Sequence, residues 1–242
     1  AEAVVLQDRQ HRHPGDDDHE RNAAMADAMA SGVEFILSHR QPDGGIYHQM
    51  LPSYNTAICV SALVRFREHN PEADAAIGPA IGFLRGLQWG GAAGVANADG
   101  SESAASDTVA VVGPDHPFYG GIGYGTHGRP DNSNLNLAMQ AFHDAGIDRD
   151  DPAFQRALVF LRRTQMHEAV NDAEYAAGSR QGGFIHATAE TGNDPGIGQS
   201  QAGLIEETLD DGTSVSRLRA YGSMTYAAFK TMIYAGLSRE DE

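Results

Sequence analysis

The sequence predicts an all-α fold, in which helical hairpins are joined by long glycine-rich connections. Apolar residues recur at the three- and four-residue spacing of amphipathic helices in several segments. No segment shows the sustained alternation of apolar and polar residues that a half-buried sheet requires. Three segments also repeat one order of parts, which indicates a fold built from similar units.

Composition narrows the classes of function. The chain has 242 residues, and 33 Asp and Glu against 17 Lys and Arg give a net charge of −16. Such a chain is repelled by nucleic acid and by anionic lipid surfaces, so neither is an expected partner. Cys59 is the single cysteine, which excludes an internal disulfide. No apolar run is long enough for a transmembrane segment.

The first half of the chain contains three predicted helices. Residues 1–21 are polar and charged and predict a solvated arm. A single domain is then expected over 22–242, beginning with a helix from Asn22 to Arg40. Ser53 is a suitable cap for a second helix, which continues to His69, and a third helix runs from Pro71 to Gln88.

The second half contains three more predicted helices. Asp131 caps one that continues to Ala145, where Gly146 ends it. Asp151, followed by proline, caps an amphipathic helix, and the last helix runs from about Ser223 to Ala235. The stretches 90–117 and 169–218 lack periodicity and predict irregular connections.

The internal repeat comprises three units, at 33–66, 81–145 and 157–237. In each, an amphipathic helix ends in glutamine, at Gln41, Gln88 or Gln165, and a Gly-Gly turn leads to a more apolar helix. The one-sided helices are suited to an outer layer and the apolar helices to an inner one. The glutamines can bond free carbonyls, and the inner helices would begin at one mouth of a central cavity.

These motifs resemble a known family. The pattern Phe-Leu-x-x-x-Gln at Phe83–Gln88 and Phe160–Gln165, followed by Gly-Gly and a polar helix start, is similar to the prenyltransferase and squalene-oxidase repeat. The repeat belongs to the squalene-hopene cyclase and protein prenyltransferase β-subunit superfamily, and its uncharacterised planctomycete-type members are the most similar. The resemblance implies an α/α toroid, and 242 residues are too few for a full ring, so an open or incomplete one is expected. It also implies a terpenoid or prenyl-like ligand in the central cleft.

Polar and aromatic residues precede each inner helix and are the candidate ligand contacts, although they suit core packing equally well. They are Tyr47, Tyr54, Asn55, Tyr119, Tyr124, His127, Arg129, Asp131, Asn134, Phe184 and Tyr221. A partner protein, or the remainder of a longer chain, could occupy the cleft instead. The chain starts with Ala1, which fits export to the periplasm after removal of a leader and fits a cytoplasmic protein as well.

A catalytic role has one candidate motif. Residues 148–151 resemble the Asp-x-Asp-Asp acid of squalene-hopene cyclases, which makes Asp150 and Asp151 candidate proton donors in a terpene-cyclase-like isomerase. Helix capping explains the same residues. The sequence is also compatible with a polysaccharide lyase and with a non-catalytic structural module of an exported protein.

Metal and cofactor sites are not expected. Cys59 lies in an apolar helix, away from the ligand set that zinc requires. The histidines and aspartates over residues 11–19 could chelate a metal, but a charge run near a terminus is more typical of a solvated arm.

Overall fold

A computed structural model describes residues 14–90, 112–125 and 129–238, with side chains from residue 21 onward. The chain divides into two compact units, of which the first ends at His39 and the second begins at Arg40. The first contains helix α1 (Pro14–Leu37). This helix starts at Pro14, eight residues before the predicted start at Asn22. Proline is common at the first position of a helix. Part of the predicted polar arm is thus helical, and residues 1–13 lie outside the described residues.

The second unit contains five α-helices among its described residues. They are α2 (Pro52–Leu63), α3 (Pro71–Gly86), α4 (Asn132–Asp144), α5 (Pro152–Thr164) and α6 (Gly222–Tyr234). Each lies where the periodicity predicts a helix, and a short 3₁₀ turn at Val64–Phe66 follows α2. None of the described helices has the length and apolar character needed to cross a bilayer.

Two predicted helix caps are confirmed, and one is wrong. The side chain of Asp131 accepts a hydrogen bond from the backbone of Asn134, and that of Asp151 accepts one from Ala153. Ser53 does not cap α2, because the helix begins earlier and the N-cap residue is Leu51. Ser53 instead donates its hydroxyl to the carbonyl of Gly123, which joins the start of α2 to the turn before α4.

Helix α4 lies between α2 and α6, and the three helices run in the same direction. At their starts, Ser53 donates to the side-chain oxygen of Asn134 at 3.3 Å, and Ser133 donates to the Met224 sulfur at 3.8 Å. At the other end, His143 of α4 stacks on Tyr234 of α6 with ring centroids 4.3 Å apart. The side of α4 that faces α5 is apolar, as in the edge-to-face contact of Phe142 and Phe154.

The prediction of an all-α toroid is wrong, because the described residues also form two antiparallel sheets. Strand β1 (Gln165–His167) pairs with β2 (Arg180–Phe184), and β3 (Leu204–Thr208) pairs with β4 (Ser214–Leu218). Three of the four strands lie within the stretch predicted to be irregular. They are too short for sustained alternation, and their pairing supplies the backbone hydrogen bonds that a long connection needs. The fold is therefore mixed α and β.

The repeated glutamine donates to the following turn in all three units, at the first glycine of the Gly-Gly pair in the second and third and at Tyr47, two residues after the pair, in the first. The side-chain amide donates to a carbonyl of the following turn, from Gln41 to Tyr47 at 2.7 Å, from Gln88 to Gly120 at 2.9 Å and from Gln165 to Gly182 at 3.0 Å. A backbone bridge closes each turn as well, at Arg40 with Ile46, Gln88 with Ile122 and Gln165 with Phe184. The repeat seen in the sequence is therefore a repeat of local structure.

Candidate functional site

The starts of α2, α4 and α6 bring polar side chains together at one end of the three parallel helices. Free backbone N–H groups at helix starts make such a place favourable for negative charge. Asp131 supplies that charge here. Its side chain is fully buried and accepts from the backbone N–H and from the side-chain amide of Asn134, both at 2.9 Å.

Arg129 lies beside this carboxylate, with its Nη1 3.9 Å from Oδ2 of Asp131. Its Nε donates to the carbonyl of Glu190 at 2.7 Å, and its Nη2 donates to the side-chain oxygen of Gln199 at 3.2 Å. The guanidinium is 17% exposed and connects the helix starts to the loop between β2 and β3. Its charge and that of Asp131 compensate each other.

His186 extends from the same loop toward this pair. Its carbonyl accepts from the backbone N–H of Asn132 at 2.9 Å, and its N–H donates to the carbonyl of Gln199 at 3.0 Å. The residue is 8% exposed, and its ring nitrogen Nδ1 has no hydrogen-bond partner among the described residues. Burial, with the nearby Arg129 charge, lowers the pKa of the imidazole despite the opposing effect of Asp131.

Two tyrosines complete the cluster. Burial, and then the negative charge of Asp131, raise the pKa of Tyr124 and of Tyr221, so both phenols keep their protons at neutral pH. Tyr124 is 42% exposed and lies near Tyr54 at the start of α2. We call this cluster the helix-start site. Its members are Tyr124, Arg129, Asp131, Asn134, His186 and Tyr221.

Four predicted contact residues are engaged elsewhere. Tyr47 stacks on Phe83 and donates its hydroxyl to Asp43 at 2.6 Å. The Asn55 amide donates to the carbonyl of Met50 at 2.8 Å.

The other two, Tyr119 and Phe184, are packing residues. Tyr119 lies against Gly90, and Phe184 is buried, with its backbone N–H donating to Thr225 at 3.1 Å. Predicted residue His127 lies outside the described residues. The sequence places His186 beside the predicted contacts Phe184 and Tyr221, whereas Glu190 and Gln199 were missed because they belong to a loop without periodicity.

The acidic motif at residues 148–151 lies at the start of α5. Asp151 caps α5 and pairs with Arg85, and the hydrogen bond to this arginine holds the pKa of the Asp151 carboxyl below its ordinary value. The side chain is therefore ionised and has no proton to donate at neutral pH. Asp150 is exposed, and its backbone N–H donates to Asp148 at 2.9 Å in a turn. In the structure Asp151 thus caps α5, and Asp150 lies in the turn before it.

Metal ligands do not converge within the part of the chain that the structure describes. No group of three His, Cys, Asp or Glu side chains there could hold an ion. Cys59 is partly buried, and burial raises the pKa of its thiol, which disfavours the thiolate that zinc requires. The candidate chelating residues His11, His13, His19 and 16–18 lie outside the described side chains.

A surface cavity of about 310 Å³ lies on another part of the second unit. It is lined by residues that follow and belong to α5, including Arg162, Arg163, Glu168 and Asp172. Charges of both signs line it, and none of its described lining residues has a buried side-chain atom without a hydrogen-bond partner. The helix-start site is therefore the stronger candidate. In the comparisons, no family model, no curated protein and no solved structure matches this chain.

Proposed function

We propose that the second unit binds an apolar small molecule on one exposed side of α2, α4 and α6. The ligand is of the terpenoid or prenyl class that the resemblance of the repeat implies. The observation that carries the proposal is an apolar stripe on α6, where Tyr226, Phe229 and Ile233 are 69%, 59% and 53% exposed. Their spacing places them on one face of the helix.

The opposite face of α6 is buried through Met224, Ala228 and Thr231, so the stripe is not part of the core. On α4, Leu137 is half-buried, and on α2, Ile58 lies opposite the buried Val60. Ile58 is itself 44% exposed. Single exposed apolar residues are ordinary, whereas three on one face of the same helix form a patch that is typical of a binding site.

Length and chemistry favour a slender apolar ligand. Helices of 12 and 13 residues present a surface about 20 Å long. Catalysis is not part of the proposal, because Asp151 of the acidic motif serves as the N-cap of α5.

The test is a binding titration of the chain with geranylgeraniol and with squalene, read by calorimetry. The double variant Phe229→Ser, Ile233→Ser should lower the affinity at least about tenfold, because two apolar contacts are lost. The matched control is Ile197→Ser, Leu204→Ser, in which both residues are 63% exposed but lie outside the helices. It should bind as the wild type does.

Three results would contradict the proposal. The wild type could bind neither compound, or the control could lose as much affinity as the helix variant, which indicates non-specific adsorption. A helix variant that instead dissociates an oligomer would identify the stripe as a protein interface.

A further inference from the structure

We infer that the helix-start site binds an uncharged, hydroxyl-bearing end of the ligand, so that the preferred ligand is an alcohol rather than a diphosphate or a plain hydrocarbon. This inference rests on the proposed function. Tyr221, a member of the site, directly precedes α6, the helix that carries the apolar stripe.

The charges of the site are already compensated. All three groups of the Arg129 guanidinium face acceptors, namely Glu190, Gln199 and Asp131. A diphosphate would have to displace these partners, and the buried carboxylate of Asp131 would repel it. Helix starts ordinarily favour anions, but at α4 the carboxylate already takes that place.

His186 supplies the unused hydrogen-bonding capacity. A buried polar atom without a partner is costly, so a ligand atom that bonds to it gains what the folded chain alone lacks. A neutral imidazole has one donor and one acceptor nitrogen, and a hydroxyl group can serve either. Nδ1 of His186 is the atom without a partner among the described residues.

Two further buried side-chain atoms also lack a hydrogen-bond partner among the described residues. The side-chain oxygen of Asn132 and the hydroxyl of Thr188 have no partner within the described part of the chain, and both residues are 1% exposed. The backbone N–H of Asn132 donates to the carbonyl of His186, and Thr188 lies two residues after His186 in the chain. Three buried polar atoms without a partner therefore belong to residues that are close along the chain or joined by a backbone hydrogen bond, which fits a neutral polar ligand group.

The tyrosines strengthen the preference for a hydroxyl group. Tyr124 and Tyr221 remain protonated, so each phenol can donate to the oxygen of an alcohol and accept its proton in turn. The Tyr124 hydroxyl bonds to Asn134 and that of Tyr221 to the backbone of Gln201, and a hydrocarbon end would add no hydrogen bond to either phenol.

The experiment compares geranylgeraniol, geranylgeranyl diphosphate and the hydrocarbon of the same chain, each titrated into the full chain. The alcohol should bind at least about tenfold more tightly than the other two. Tyr124→Phe removes one hydroxyl from an exposed side chain, and His186→Phe removes the ring nitrogens. Each should reduce the preference for the alcohol over the hydrocarbon while leaving the affinity for the hydrocarbon within about twofold. His69→Phe, at an exposed histidine outside the site, is the control and should change nothing.

The outcomes separate this inference from the proposed function. Equal binding of alcohol and hydrocarbon would overturn the inference but not the proposed function. Tighter binding of the diphosphate than of the alcohol would also overturn the inference alone. Binding of none of the three would overturn both. If His186→Phe does not fold, the result with Tyr124→Phe decides.

Discussion

Arg85 and Asp151 join the end of α3 to the start of α5 through two parallel hydrogen bonds of 2.7 Å each. The same carboxylate also accepts from the backbone N–H of Ala153, so one side chain both caps α5 and holds the arginine. The two side chains are 30% and 19% exposed, which keeps the pair partly out of water. A residue that resembles a catalytic acid in the sequence thus connects two helices.

This ion pair should make stability depend on pH in acid. The pKa of Asp151 in the folded chain lies below its value in the unfolded chain, about 3.9. The stabilisation is therefore present above that value and is lost as the pH falls through the lower, folded pKa. Asp151→Asn keeps a capping side chain but loses the charge. It should lower the free energy of unfolding by about 1 kcal/mol at pH 7, and the difference should shrink as the pH falls below about 3.9. Urea unfolding at a series of pH values measures this, with the exposed Asp150→Asn as control. A difference that does not change with pH would contradict the ion pair.

Gly120 should tolerate no side chain. Its φ is +83°, and an added Cβ would lie 1.8 Å from the carbonyl oxygen of Arg156 in α5. Gly120→Ala should therefore cost at least about 3 kcal/mol of unfolding free energy. Gly146 has the same φ but no atom within 4 Å of the added Cβ, so Gly146→Ala should cost only about 1 kcal/mol. Thermal or urea unfolding of the two variants checks the difference, and equal losses would show that backbone conformation alone matters.

Gln88 should contribute more to stability than the equivalent Gln165. The Gln88 amide donates to Gly120 and to Ala153, both at 2.9 Å, and its side-chain oxygen accepts from Arg156 at 3.0 Å. The residue is 1% exposed, so Gln88→Ala removes one hydrogen bond each from Gly120, Ala153 and Arg156 in a buried place. The expected cost is about 3 kcal/mol.

Gln165 is partly exposed, and among the described residues its side chain bonds to Gly182, so Gln165→Ala should cost about 1 kcal/mol. The measurement is the free energy of unfolding of both variants in urea. A smaller loss at Gln88 than at Gln165 would refute the ranking.

Tyr175 should make the fold sensitive to alkali. Burial raises the pKa of this phenol to about 12, and its hydroxyl donates to the carbonyl of Arg163. The ring packs on a buried cluster of Met166, Ala176 and Ile185. Because the unfolded tyrosine ionises near pH 10, the stability that this phenol contributes is complete below that pH and is lost as the pH rises toward about 12.

The variant Tyr175→Phe isolates this contribution from that of the other tyrosines. Between about pH 10 and about pH 12, the wild type should lose about 2 to 3 kcal/mol more than the variant does. Unfolding in urea at a series of alkaline pH values measures the two slopes. Parallel slopes would show that Tyr175 ionises equally well in the folded chain.

The helices could be predicted from the sequence because their signals are local. Asp131 and Asp151 each bond a backbone N–H within three residues, so a short window contains both partners of the cap. The sheets could not be predicted in this way. In the β3–β4 hairpin the half-buried positions alternate Ile205 with Glu207 and Val215 with Arg217, which weakens the apolar signal, and only the Asp-Gly pair at residues 211–212 indicates a turn.

The same distinction applies to the helix-start site. Asp131 and Asn134 are three residues apart and could be assigned together from sequence. Arg129 depends on Gln199, which is 70 residues away and is held in place by the backbone bridge between Ala187 and Gln199. Such a contact has no trace in a local pattern, because the loop that carries it owes its path to its own backbone hydrogen bonds.

The contact from each glutamine to its following turn also bears on how this chain could have lengthened. The donor and the acceptor are separated by 6 residues in the first unit, 32 in the second and 17 in the third. Duplication of a gene segment that encodes one unit would copy both the donor and the acceptor, so the new unit could form the hydrogen bond that holds its own turn. The fold would also tolerate insertions between the donor and the acceptor, because the hydrogen bond requires only that the glutamine amide and the carbonyl come together.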